Sequence, residues 1–198
     1  VLILRIVSIG DILTIYKFIV MKIIKVLLLA VLAIIVIALI AALFVRKEYS
    51  VEREVVVNKP KKEVFDYIKY VKNQDNFSKW NQMDPNMKKS YQGTDGTVGF
   101  IYAWDSDKEA GKGEQEIKNI TEGERVDFEL RFEKPMESTA PAYLITEQMT
   151  ENQTRVKWGF KGTMPYPMNL MLVVMNFDEM IGNDLQTGLN NLKNVLEK

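Results

Sequence analysis

The chain has 198 residues, with 26 Lys+Arg balanced by 26 Asp+Glu, no Cys and no His. Those two absences exclude disulfide frameworks, thiolate zinc sites, cysteine nucleophiles, imidazole relays and imidazole pH switches. The charge is unevenly spread: before Arg46 stand Arg5, Lys17, Lys22 and Lys25 against Asp11 alone. The remainder is left slightly acidic, without the basic footprint of a nucleic-acid binder, so no nucleic-acid partner is expected.

Residues 1–20 precede Met21-Lys22-Ile23-Ile24-Lys25, which looks like a natural start. They read as an over-extended start or a short N-terminal tail, with an apolar hairpin partner for the following segment as the alternative. Residues 21–45 read as a membrane anchor. Its core, Val26–Val45 (VLLLAVLAIIVIALIAALFV), contains no charge, proline or glycine. At about 1.5 Å rise per residue it is about 30 Å long, the thickness of a bilayer core. Lys22 and Lys25 before it and Arg46-Lys47 after it suit the headgroups. The rival is a cleaved signal, but an apolar signal region is shorter, about 7–15 residues, and ends at small residues rather than at a basic pair. From Met21 onward the flanking positive charges are tied. The short basic N-terminus resembles a signal anchor, which would put the rest of the chain outside the cytoplasm.

Residues 46–50 are a connector, and residues 51–198 have the size and the mixed apolar and charged pattern of one folded domain. Val51–Val57 alternates and then turns apolar, as a strand does. Asn58-Lys59-Pro60 opens a helix over Lys61–Val71, with Val64, Phe65, Ile68 and Val71 on one face. A second helical piece is expected at Gln74–Lys79. Strands follow at Asn86–Tyr91, Val98–Trp104, Lys112–Ile120, Arg125–Phe132, Ser138–Met149 and Thr154–Thr163, joined by turn-forming segments such as Gly93-Thr94-Asp95-Gly96. In the fourth of these, Val126, Phe128, Leu130 and Phe132 alternate with Asp127, Glu129, Arg131 and Glu133, one dry face and one wet. After Pro165-Tyr166-Pro167 one long helix is expected over Met168–Leu196, with Phe177, Ile181, Leu185, Leu189, Leu192 and Leu196 as its core stripe. The order implies an α+β fold, a curved antiparallel sheet with the last helix across one face.

The stretch Val55–Ile68 (VVVNKPKKEVFDYI), Trp80 about a dozen residues beyond that helix, and Leu189-Asn190-Asn191-Leu192-Lys193 carry a resemblance. The domain resembles the START-like (SRPBCC) superfamily, which includes polyketide cyclase/dehydrase and lipid-transport proteins and the birch-pollen-allergen fold. The resemblance covers roughly the whole domain. It implies a helix-grip fold in which a bent sheet wraps the C-terminal helix and encloses a cavity for an apolar or amphipathic ligand. None of the matching stretches is a catalytic motif.

Candidate cavity residues come from two places. On the strands they are Phe100, Tyr102, Trp104, Phe128, Leu130, Phe132, Tyr143, Trp158 and Phe160, where Tyr and Trp would keep polar handles inside an apolar wall. Each of them taken singly is better suited to plain core packing; it is as a group that they point to a cavity. In the C-terminal segment, Met168–Met175 (MNLMLVVM) is apolar nearly all round, which suits a gate over a cavity, a partner or the bilayer; Met168, Met171, Leu172 and Met175 are the candidates there. The pairs Glu114/Glu116 and Asp127/Glu129 read as solvated strand faces rather than acid–base pairs. No catalytic residue, metal ligand or cofactor motif stands out. The sequence therefore predicts a membrane-anchored domain, held by Val26–Val45, that binds a hydrophobic small molecule or lipid. A cyclase or dehydratase using the same cavity, and a protein-interaction module like the chaperone activators, are the alternatives.

Overall fold

The structure is a computed structural model and describes residues 9–108 and 110–198. The first part of the N-terminal tail, residues 1–8, lies outside the described residues. From Ile9 the chain is one uninterrupted helix, α1 (Ile9–Ala42), because no proline breaks it and nearly every side chain is a helix-compatible apolar one. Its stretch Tyr16–Ala42 is long and apolar enough to cross a membrane, and its most apolar part is not packed against the domain.

Strand β1 (Glu48–Val57) starts inside the expected connector, since Glu48, Tyr49 and Ser50 already pair with Thr163, Gly162 and Lys161. Helix α2 (Lys61–Ile68), a 3-10 segment (Val71–Asn76) and the single-turn helix α3 (Lys79–Gln82) follow. Six further strands come next: β2 (Lys88–Gln92), β3 (Ile101–Asp105), β4 (Lys112–Thr121), β5 (Arg125–Lys134), β6 (Ser138–Thr150) and β7 (Gln153–Thr163). They form one seven-stranded antiparallel sheet in the order β1-β7-β6-β5-β4-β3-β2.

The expected C-terminal helix is divided. A 3-10 turn (Met168–Leu170) and the one-turn helix α4 (Met171–Val174) come first, Met175 is extended, and α5 (Phe177–Leu196) begins anew. The break has a local cause. The Asn176 side chain accepts a hydrogen bond from the Glu179 amide (3.2 Å) and its amide group reaches back to Glu179 Oε2 (3.1 Å), so Asn176-Phe177-Asp178-Glu179 caps a fresh helix. Apolarity alone had made Met168–Met175 look continuous with α5.

Alternation sets the two faces of the sheet. On the outer face Arg131 reaches Glu114 (2.5 Å), Glu116 (2.7 Å) and Glu129 across β4 and β5. Glu116 is held below the usual carboxylate range, chiefly by its hydrogen bond from Arg131. The inner face packs on α5, which approaches closely at two glycines. A Cβ on Gly182 would sit 2.1 Å from the Arg53 guanidinium, and one on Gly188 would sit 2.7 Å from the Trp158 ring. Arg53 uses the first gap to bind the Asp178 carboxylate and carbonyl, each at 2.8 Å.

The strand register gives the grip two unlike ends. Glu48, Thr163, Ser138, Lys134, Lys112, Asp105 and Lys88 lie along one end of the sheet, the end from which α1 departs. At the opposite end Val57, Ile117, Val126, Leu144, Val156, Leu189 and Leu192 are fully buried and close-packed with α2. The α1 end is not filled in this way.

Candidate functional site

Between the inner face, α3 and the first half of α5 lies a cavity of about 200 Å³, several times the roughly 30 Å³ share of one water molecule. Its walls rise from β3 (Tyr102, Trp104), β4 (Gln115), β5 (Phe128, Leu130, Phe132), β6 (Ala142), β7 (Trp158, Phe160), α3 (Trp80, Asn81) and α5 (Ile181, Leu185). The sheet brings these together because each occupies an inward parity position, and the register sets Tyr102 opposite Gln115 and Gln115 opposite Leu130. All three tryptophans of the chain, Trp80, Trp104 and Trp158, line the cavity. Trp80 and Trp158 meet edge to face at 5.8 Å, and Phe77 braces Trp158 from behind at 5.6 Å.

Of the strand candidates, Tyr102, Trp104, Phe128, Leu130, Phe132, Trp158 and Phe160 line this cavity. Phe100 does not; it is buried next to Tyr91, their rings 6.2 Å apart. Tyr143 is a correction, for it stands on the outer face. Ala140, Ala142 and Leu144 hold the inward positions of β6, and the Tyr143 ring instead covers Gly159, its cross-strand partner. Its hydroxyl donates to Glu52 (2.5 Å), Arg125 stacks on its ring at 4.3 Å, and its pKa is pushed up to about 12 by burial and then by the Glu52 hydrogen bond. Met168, Met171, Leu172 and Met175 are not cavity residues either, because the helix break carries their segment to the foot of α1.

Polar groups in the wall are few. Tyr102 donates to Met87 Sδ (3.5 Å) and accepts from Asn81 Nδ2 (3.4 Å); burial raises its pKa well above the ordinary phenol value, so it stays protonated. Gln115 is only 7% exposed, and its Nε2 has no hydrogen-bond partner among the described residues. Sequence reasoning had passed over Gln115, although its place between Gly113 and Ile117 on the inward side of β4 was legible. Gln74, Ser78 and Asn81, which add polarity near α3, carried no comparable sequence signal.

The loop after β3 forms part of the rim. Trp104 Nε1 donates to the Ala110 carbonyl (2.9 Å), and the buried Asp84 accepts from Ser106 Oγ (2.6 Å) and the Asn86 amide (3.0 Å). The Ser106 hydroxyl, more than any other group, holds the Asp84 carboxyl below its usual range. No cluster among the described residues is arranged to hold a metal ion.

No protein-family model and no curated protein matches the chain. Solved structures match it at low identity. A protein from Nitrosospira multiformis is 18% identical, with 75% of this chain and 96% of that one covered at a TM-score of 0.51. Truncated norcoclaurine synthase from Thalictrum flavum is 11% identical, with 78% and 98% covered at 0.53. The Aha1 dimer from Colwellia psychrerythraea is 12% identical, with 75% and 96% covered at 0.51. At such identities the likeness bears on architecture alone. That architecture is the helix-grip fold, carried here behind an N-terminal apolar helix long enough to span a membrane.

Proposed function

We propose that this chain is a membrane-anchored carrier or receptor for an amphipathic, lipid-like small molecule, held between the sheet and α5. The observation that carries the reading is the cavity itself: an aromatic and aliphatic wall with one unpaired amide donor, Gln115 Nε2, within it. An apolar body would displace water from the wall, and a carbonyl, hydroxyl or carboxyl oxygen on the ligand would accept from Gln115. Among the described residues Tyr102 is the only titratable one lining the cavity, and a phenol whose pKa is raised donates a hydrogen bond rather than taking a proton. That favours binding over acid–base catalysis. The open space favours binding over a purely protein-facing module.

Native mass spectrometry of the detergent-extracted full chain tests this reading. The expected result is an extra mass of an amphipathic molecule. Titration with a fluorescent fatty acid should also quench the tryptophan emission, since every tryptophan borders the cavity. A chain that carries no extra mass and whose tryptophan emission ignores the probe would overturn the proposal.

A further inference from the structure

The segment expected to gate the cavity does something else. Asn169, which is fully buried, donates both protons of its side-chain amide to two carbonyls, that of Ala42 at the end of α1 (2.7 Å) and that of Val45 in the turn after it (2.9 Å). The first is one of the carbonyls that a helix terminus leaves unpaired. Ala42 is itself fully buried, and the Met164 amide donates to the Lys47 carbonyl (2.7 Å). The foot of α1 is therefore seated in a socket made by residues 164–170.

Beside that socket the apolar surface of α1 does not stop. Leu43 and Phe44 are exposed, Phe44 at 85%, and the adjoining α4 exposes Met171, Val173 and Val174, the last also at 85%. Tyr166 stands exposed in the same segment, and Arg46 and Lys47 lie exposed in the turn after α1. An apolar turn flanked by tyrosine and a basic pair is the composition of a membrane interface. In water, so many large apolar side chains on one short helix would be a liability.

We infer that α4 is a second membrane contact, a wedge whose Val173 and Val174 enter the boundary between headgroups and acyl chains beside α1. The occupant of this face is a lipid bilayer, for which the continuity with α1 and the adjacent Arg46-Lys47 pair argue. The inference rests on α1 lying in the membrane and deepens the proposed function. Two contacts fix an orientation that one helix alone would leave free. The cavity lies in the half of the grip nearest α1, and α4 leads through Asn176 directly into Ile181 and Leu185 of its wall. With α4 seated, the cavity is held at the lipid surface.

Because the chain has no cysteine, single labels can be placed without removing any residue. Full-length Val174→Cys and Asn152→Cys, the latter in the exposed turn between β6 and β7 at the far end of the sheet, are labelled with an environment-sensitive fluorophore. They are reconstituted in vesicles of phosphatidylcholine and phosphatidylglycerol doped with lipid bearing a nitroxide near the headgroup. The label at Val174 should shift to the blue and be quenched several-fold more than the label at Asn152. Equal quenching at both sites, or a blue shift at Val174 without quenching, would overturn the inference. The latter result would mean that protein, a second copy or another partner, covers α4. Ligand binding does not enter this readout. If the fatty-acid titration in detergent fails while Val174 is quenched, the ligand reading falls and the wedge stands.

Discussion

A buried donor left without an acceptor costs about 1–3 kcal/mol, whereas an apolar side chain of similar size costs nothing there. Gln115 therefore sets apart two kinds of requirement on one residue. If its only task were to fill the wall, a leucine would do better. Gln115→Leu should raise the stability of the empty protein by about 1 kcal/mol and weaken binding of a ligand carrying an acceptor oxygen by roughly tenfold. Thermal unfolding and probe titration on the same preparation check both halves. Lower stability together with unchanged affinity would make Gln115 a packing residue with an unseen partner. Tyr102 is a different kind of group. It is already partnered by Asn81 and Met87, so a ligand must compete with those contacts to use it.

At the scale of elements, α5 is shaped by what it must let through. Gly188 admits the Trp158 ring, which cannot swing aside because Phe77 and Trp80 hold it on two sides. Alanine is the better helix former by about 1 kcal/mol, but overpacking against a fixed ring costs about 1–3 kcal/mol. Gly188→Ala should therefore destabilise the domain slightly and move the Trp158 wall of the cavity. Circular-dichroism melting should show the loss, and a shifted tryptophan emission maximum should accompany it. A stabilised variant with unchanged emission would show that α5 does not press on that wall.

The elements also show where the sequence was readable. Strands β5 and β7 were legible because each alternates apolar with charged positions, and on β5 Phe128, Leu130 and Phe132 then proved to share a wall, while Val126 packs in the filled end. Tyr143 was misplaced because aromatic character was weighed above parity. On β6 the inward positions are filled by Ala140, Ala142 and Leu144, small residues that advertise nothing. Met168–Met175 was read as helix because apolar residues without polar punctuation support any helical phase. The punctuation, Asn176 with Glu179, was present but lay inside the expected helix. Only the fold brings Asn169 to Ala42 and Val45, residues far away in the sequence, and no local pattern announces such a contact.

For the whole molecule, the joint between α1 and the domain matters more than either part. A short turn, Leu43–Lys47, would ordinarily be an open target for a protease that cuts after basic residues. Here its carbonyls at Val45 and Lys47 are both bonded to the domain, by Asn169 and by the Met164 amide. Local unfolding must precede cleavage. Asn169→Leu removes the amide that pins α1 while keeping a side chain of similar size in the buried space. Limited trypsin digestion of the detergent-solubilised full chain should cut after Arg46 or Lys47 several-fold faster in the variant, while the domain itself stays resistant. Equal rates in variant and parent would mean that the seat does not restrain the joint.

A free five-residue connector could extend at most about 18 Å. With Asn169 clamping the foot of α1 and β1 beginning at Glu48, nearly all of that slack is gone. A domain mounted in this way has no arm with which to shuttle. On the proposed reading it would exchange cargo with the leaflet it stands on, or with a partner that comes to it, and would not reach across a gap to a facing bilayer. If it moves lipid-like molecules over distance, something else must travel.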